Sequence, residues 1–325
     1  MGKGFLVQAR YILEPDRLKT WGSPLATGQT YKTAGQERTG LFPGCLECLL
    51  KLAGDASRLA VPGDQGKRAR AEAEVRRIIE DGAGEALTSP QLANRALRAL
   101  ALLTGVADPY AEIKRKEMAQ ARETFDLVRP LLGDDLGSLL RLAVLGNSFD
   151  FFLPPEEALP RLRRALAGGF VFHQDDSDRL LQFLAGRPGL ILYLTDNAGE
   201  VFFDLPLYQY LTGWAGRVVL VVKGGPGLND LTRSDLEKSG LAGRFGDIAD
   251  TGADGAGVDW DRVSPDFLDL VRQADLIVAK GMANFETLIS RPPSGPAFHL
   301  FKVKCRPFED YLNAPPESYY ALWRG

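Results

Sequence analysis

Residues Leu190, Ile191, Leu192, Tyr193 and Leu194 form an unbroken apolar run that stops at Thr195, Asp196 and Asn197, with a glycine at 199. A run this short, without polar alternation, predicts a strand buried on both faces, as in parallel sheets. The remainder of the chain repeats the theme. Strands are expected at 217–222, 247–250, 276–279 and 297–303, with helical stretches at 199–211, 231–239 and 265–273 between them. Such alternation marks a parallel sheet with crossover helices and places the chain in the α/β class.

Upstream the pattern is helical. Cys45 and Cys48 open a helix carrying Leu49, Leu50 and Leu52, and Ala71, Val75, Ile78 and Ile79 recur at helical spacing among charges. Ser89 followed by Pro90 is the expected N-cap of an apolar helix over 92–103, closed by Gly105. Asp108-Pro109 starts a charged helix over 110–128 with Lys114 and Lys116, its inward residues expected to be Phe125 and Leu127. Further helices are expected over 136–145, from Pro154-Pro155-Glu156 to about 166, and after Asp176-Ser177-Asp178. The expected organisation is an irregular extension over residues 1–44, a helical subdomain over 45–188 and an α/β domain over 189–325. The architecture implied is a three-layer, Rossmann-like, mostly parallel sheet with an all-helical N-terminal subdomain.

Parallel strands put their C-terminal ends on one edge, where open α/β sheets bind ligands. Here those ends read Asp196-Asn197, Lys223 with Asn229 and Asp230 beyond it, Asp250-Thr251, Lys280-Gly281 and Lys304. Independent turns need no such charge. Asp196, Asn197 and Asp230 supply two carboxylates and an amide, a half-filled oxygen site suited to a hard divalent cation such as Mg or Mn, with positions left for water and substrate oxygens. Lys280, Asn284 and Lys304 add donors on the other side, and cations facing a metal neutralise a transferring phosphoryl group. Hydrolysis of a phosphate ester is the simplest reaction of that set, with Asp196 or Asp230 orienting the water. An aspartyl-phosphate route of the haloacid-dehalogenase type uses an Asp-x-Asp pair, and the position two after Asp196 is Ala198.

Bulk properties narrow the classes further. A net charge of -3 over 325 residues, with 45% hydrophobic and 25% charged, describes a globular chain without the basic excess of a nucleic-acid binder. No run approaches the roughly 18 apolar residues of a membrane span, and the start lacks a signal-peptide pattern, so a cytoplasmic location is expected. Cys45, Cys48 and Cys305 are an odd set, expected to be reduced, and their two-residue spacing lacks the four ligands of a structural zinc site. His173 and His299 stand apart and flank no ligand pattern.

The series Asp196 to Asp204, Asn229-Asp230, Asp250-Thr251-Gly252, Ala274 to Gly281 and Asn284 to Leu288 resembles the motif series of the damage-control phosphatases, formerly domain of unknown function 89. Cys45-x-x-Cys48, Asp108-Pro109-Tyr110 and Gly146 to Asp150 resemble its prokaryotic branch. The resemblance implies a metal-dependent phosphatase for damaged or surplus phosphometabolites, such as sugar phosphates or oxidised phosphopantetheine. It further implies Asp196, Asn197 and Asp230 as ligands of a divalent cation (Mg, Mn, Co or Ni). Asn147, Asp150, Glu200, Lys280, Asn284 and Lys304 would line the substrate pocket, with the helical half closing over the sheet edge. Two other readings compete: an S-adenosylmethionine-dependent methyltransferase using the glycine loop at 224–227, and a non-catalytic metal-binding module.

Overall fold

The computed structural model describes residues 40–147 and 171–325. Asp150, the helix expected from Pro154, and residues 1–39 lie outside the described residues. Strands β2 (Leu190–Leu194), β3 (Arg217–Val222), β4 (Asp247–Asp250), β5 (Leu276–Lys280) and β6 (Ala297–Lys302) are mutually parallel where they pair. Beyond β6 the chain forms a strand that the sequence pattern did not predict, β7 (Tyr319–Arg324), antiparallel to β6. A two-residue strand, β1 (Gln174–Asp175), pairs with β7.

The sheet order is β1-β7-β6-β5-β2-β3-β4. From β2 the chain first moves to β3 and β4 on one side, then returns to β5 and β6 on the other. The carboxyl ends of β2 and β5 therefore flank a topological switch point, where a crevice opens because the flanking connections diverge.

Strand alternation divides the core into the expected three layers. Leu190, Leu192 and Leu194 face Val219, Val221, Ile277 and Ala279 beneath helices α9 (Pro265–Gln273) and α10 (Gly281–Ser290). Ile191 and Tyr193 face the other way, into a core shared by α4 (Ala111–Val128), α5 (Leu136–Gly146), α6 (Ser177–Ala185) and α7 (Val201–Thr212). Helices α1 (Cys45–Ala60), α2 (Gln65–Gly82) and α3 (Ser89–Thr104) bury Leu49, Val75, Ile79, Leu92 and Leu100 among themselves. The short helices α8 (Arg233–Lys238) and α11 (Arg306–Leu312) complete the described set, and Phe42 packs 4.8 Å from Phe308 of α11.

Local rules explain two departures from expectation. The cap of α3 is Thr88, not Ser89: its hydroxyl accepts from Gln91 N while Gln91 Oε1 accepts from Thr88 N, a reciprocal capping box. Ser89 is thereby free to donate both its N–H and its Oγ to Glu286 of α10, each at 2.8 Å. On α4 the inward positions are Lys114, Glu117, Met118, Ala121, Thr124 and Val128, so Leu127, one residue off that stripe, is 46% exposed. Among the described residues no helix is long and apolar enough to cross a membrane.

Candidate active site

The tip of β2 is fixed from both sides before its polar residues begin. Thr195 N donates to Val221 O at 3.0 Å, and Asn284 Nδ2 donates to Thr195 O at 2.9 Å. Asp196 and Asn197 follow, then a 3-10 turn over Ala198–Glu200 feeds α7. The segment after β3 folds back onto this turn: Asn197 and Asp230 pair as an antiparallel bridge. Leu231 N donates to Asp196 O at 2.9 Å, and Ala198 N donates to Asn229 O at 2.8 Å. Main-chain pairing thus places Asp196, Asn197 and Asp230 together.

A close neighbour comes from the residue after β5, at the start of α10. Gly281 has φ +78°, and a Cβ there would stand 1.9 Å from Asp196 Oδ2. The carboxylate occupies the space that any side chain at 281 would need. Asn147, at the end of α5, donates from Nδ2 to Asp196 Oδ2 at 3.0 Å and to Glu200 Oε1 at 2.5 Å, and Asn197 Nδ2 donates to the same Glu200 oxygen at 2.6 Å.

Beneath these acids lie two buried lysines. Lys280 Nζ donates to Glu200 Oε2 at 2.9 Å, Asp204 Oδ1 at 2.6 Å and Ala143 O at 2.9 Å, which uses all three of its protons. Lys223 Nζ donates to Gly257 O at 2.9 Å and Asn284 Oδ1 at 3.0 Å, and stands 3.6 Å from Asp230 Oδ1. That last distance is outside hydrogen-bond range, so Asp230 Oδ1 is buried without a hydrogen-bond partner among the described residues.

The electrostatics follow from this crowding. Burial, then the charges of Glu200 and Asp230, push Asp196 well above the usual carboxylate range, against the pull of Lys304 and Lys223. Asp230 is raised as well, by burial first, with Lys223 pulling down and Glu200 pushing up. For Glu200 burial acts upward, but Lys280 and Lys304 outweigh it and hold the carboxyl below its ordinary value. Lys304 is half-buried; burial lowers its pKa although Glu200 and Asp196 draw it upward.

The structure therefore brings together Asn147, Asp196, Asn197, Glu200, Asp230, Lys280 and Asn284 through hydrogen bonds and main-chain pairing, with Lys304 in their electrostatic neighbourhood. Lys280 and Asn284 are fully buried under the carboxylates, their donors committed within the protein. Sequence reasoning missed Glu117, which reaches in from α4. Its Oε1 accepts from Gly199 N at 3.3 Å and its Oε2 from Asn229 Nδ2 at 3.0 Å. The available signal was its place on the buried stripe of α4.

Other sequence features do different work. The glycine loop after β3 packs on protein backbone: a Cβ at Gly224 would meet Gly252 C at 2.6 Å, and one at Gly227 would meet Gly255 Cα at 2.0 Å. Thr251 supports that loop, accepting from Gly224 N at 3.2 Å. His299 is buried against Phe285, and burial pushes its pKa down to about 3. No cysteine is in a disulfide; burial, then the Glu286 charge, pushes Cys45 up to about 12. Among the described residues no three His, Cys, Asp or Glu side chains form a metal cage. The donor set at the tips of β2 and β3 is two carboxylates and an amide.

Fold and crevice together define a Rossmann-like α/β protein whose switch point presents paired acids, an amide and lysines. Within that class the chain belongs to the damage-control phosphatase ARMT1-like domain family, whose model matches residues 41–318. It is 35% identical to the damage-control phosphatase PH1575 of Pyrococcus horikoshii over 214 residues, 65% of this chain and 73% of that protein. A damage-control phosphatase of Archaeoglobus fulgidus is 29% identical over 275 residues, covering 82% and 93% of the two chains. The crystal structure of PH1575, described as a DUF89 family protein, superposes with a TM-score of 0.78 at 29% identity, covering 86% of this chain and 97% of that one.

Proposed function

We propose that this chain is a metal-dependent phosphatase that hydrolyses phosphate monoesters of small damaged or surplus metabolites, sugar phosphates and phosphopantetheine derivatives among them. Membership of the damage-control phosphatase family supports the reaction class. The observation that carries the metal requirement is an unbalanced pair of buried acids. Asp230 Oδ1 is buried without a hydrogen-bond partner among the described residues, and Asp196 is raised by burial and by its acidic neighbours. A divalent cation satisfies both conditions at once, so the donor set fits one.

Asp196, Asn197 and Asp230 would hold Mg, Mn, Co or Ni. When bound, the ion supplies Lewis-acid polarisation of the phosphoryl oxygens. Lys304, half-buried while Lys223 and Lys280 are buried, would be the lysine that meets a phosphate from the solvent side. Asn147 ties the Asp196 carboxylate to Glu200 through its side-chain amide, which orients the acid without neutralising it. Lys280 keeps Glu200 ionised, and Asn284 locks the strand tip. Asp230 accepts the proton of the attacking water at a carboxylate oxygen as the water oxygen bonds to phosphorus. The ester oxygen leaves in line with the phosphorus–oxygen electron pair and takes a proton from solvent water to give the alcohol, and Asp230 returns its proton to solvent. Substrate class comes from the family and location from composition: net charge -3 and unbridged cysteines fit a cytoplasmic enzyme acting on metabolites, with neither nucleic acid nor membrane as partner.

The test is release of inorganic phosphate from a panel of phosphometabolites by EDTA-stripped protein, with each metal restored in turn and Asp196→Ala alongside. Metal-restored release absent from the variant is expected. Release unaffected by EDTA, or retained by Asp196→Ala, would overturn the assignment.

A further inference from the structure

Two turns carry the proposed ligands, and they come from different strands. Asn197 belongs to the turn after β2, and Asp230 to the segment returning after β3. Their main chains are stitched by the Asn197–Asp230 bridge, with Leu231 N donating to Asp196 O and Ala198 N to Asn229 O, but past Ala198 no further main-chain hydrogen bond joins the two turns among the described residues. A third element spans the gap. Glu117 of α4 is 3% exposed and places one carboxylate oxygen on the N–H of Gly199, two residues past Asn197, and the other on the amide of Asn229, the residue before Asp230.

The fit is close on both sides. A Cβ at Gly199 would stand 2.9 Å from Glu117 Cγ, so the main chain approaches the side chain as nearly as glycine allows. Asn229 uses its carbonyl oxygen on Ala198 N while its side chain reaches Glu117, so it is held at two points. A neighbour on the same helix grips the far end of the segment: Lys114 donates to Asp235 Oδ2 at 2.6 Å. Only a carboxylate presents two acceptor oxygens to two donors in this geometry, since an amide turns a donor toward one of them. A residue whose sole task was to fill the α4 interface would be apolar, as Met118 and Ala121, the next buried residues of the helix, are.

We propose that Glu117 is a positioning residue that sets the spacing between the Asn197 and Asp230 turns, and thereby the affinity of the site for a divalent cation. It acts through Gly199 and Asn229 and makes no hydrogen bond to the proposed ligands among the described residues. The inference rests on the metal-site reading above.

Binding of Mn by EDTA-stripped protein at pH 8, followed by titration calorimetry, separates the two ideas. Wild type is expected to bind one Mn. Glu117→Gln keeps the volume but turns a donor toward Gly199 or Asn229, and is expected to bind Mn about ten-fold more weakly while unfolding cooperatively. Because Glu117 works in part through Asn229, the same substitution in an Asn229→Ala background is expected to cost clearly less than ten-fold. Glu117→Asp, which keeps both acceptors on a shorter arm, is expected to fall between wild type and Glu117→Gln. Failure of wild type to bind Mn would sink the metal site itself. Equal binding by wild type and Glu117→Gln would overturn the positioning role alone, and so would an equal loss in both Asn229 backgrounds.

Discussion

Gly281 carries two constraints at once, a left-handed backbone at φ +78° and the Asp196 carboxylate where its Cβ would be. Either is tolerable alone, because a left-handed alanine costs about 1–2 kcal/mol and a flexible side chain can give way. Together they force Asp196 off the tip of β2 or the strand off its register. Gly281→Ala is therefore expected to lose at least about 2 kcal/mol of stability in urea, and to abolish phosphate release. Wild-type turnover in that variant would show that the carboxylate does not need its place.

Glu117 allows a test of proton linkage at the same scale. Its pKa stands at about 7, raised first by burial and also by Glu200, against the hydrogen bonds from Asn229 and Gly199. An unfolded glutamate titrates near about 4.3, so the native state binds this proton more tightly. The stability it contributes is complete below the unfolded value and is lost as pH rises through about 7. Subtracting the urea stability of Glu117→Gln from that of wild type, both in EDTA, isolates the effect. The difference is expected to fall between about pH 4.5 and 7 by up to about 3 kcal/mol, and a flat difference would mean that this proton is not coupled to folding.

At the scale of elements, legibility followed burial. The runs 190–194 of β2, 218–222 of β3 and 276–279 of β5 are apolar because both faces are covered, and their ends are visible because the chain turns polar where the crevice begins. That is why Asp196, Asn197, Asp230 and Lys280 could be read from order alone. β7 escaped because its direction is reversed and its run, Tyr319 to Arg324, is aromatic-rich and lies beyond the last crossover helix pattern. Glu117 escaped for the opposite reason: α4 has charges on every face, and the buried ones, Lys114 and Glu117, look like the solvated Lys116 beside them. What distinguishes them is position relative to Ala121 and Val128, which tertiary structure gives and composition does not. β7 also supports a prediction. It covers β6 over six paired positions and buries Tyr320, Ala321 and Leu322. Removing residues 319–325 is expected to leave β6 as an open apolar edge, with loss of the cooperative urea transition and gain of dye binding to exposed apolar surface. A truncated chain that unfolds as sharply as wild type would show β7 to be dispensable.

For the molecule as a whole, the crevice lies where its layers meet: Asp196 and Asp230 from the sheet edge, Asn147 from α5, Glu117 from α4 and Gly281 from α10. Charge left uncompensated there acts against the docking of every one of these elements. Asp196 is raised well above the ordinary carboxylate range by burial, Glu200 and Asp230, so above the unfolded value its ionisation destabilises the metal-free fold, a cost absent below it. Asp196→Asn removes the charge and keeps an acceptor for Asn147 Nδ2. The metal-free variant at pH 7.5 is therefore expected to melt above metal-free wild type, with the gap closing as pH falls toward about 4, the unfolded aspartate value. Saturating Mn reverses the order. An ion at about 100 times its dissociation constant stabilises the native state by about 2.7 kcal/mol, and a variant that has lost a ligand gains little. Melting curves of both proteins, with EDTA and with Mn, test the whole account, since the crossing requires a penalty in the empty site and its relief by the ion. If Asp196→Asn melts below wild type in EDTA, Asp196 is a structural acid satisfied by its protein neighbours. If both proteins respond equally to Mn, the ion binds elsewhere.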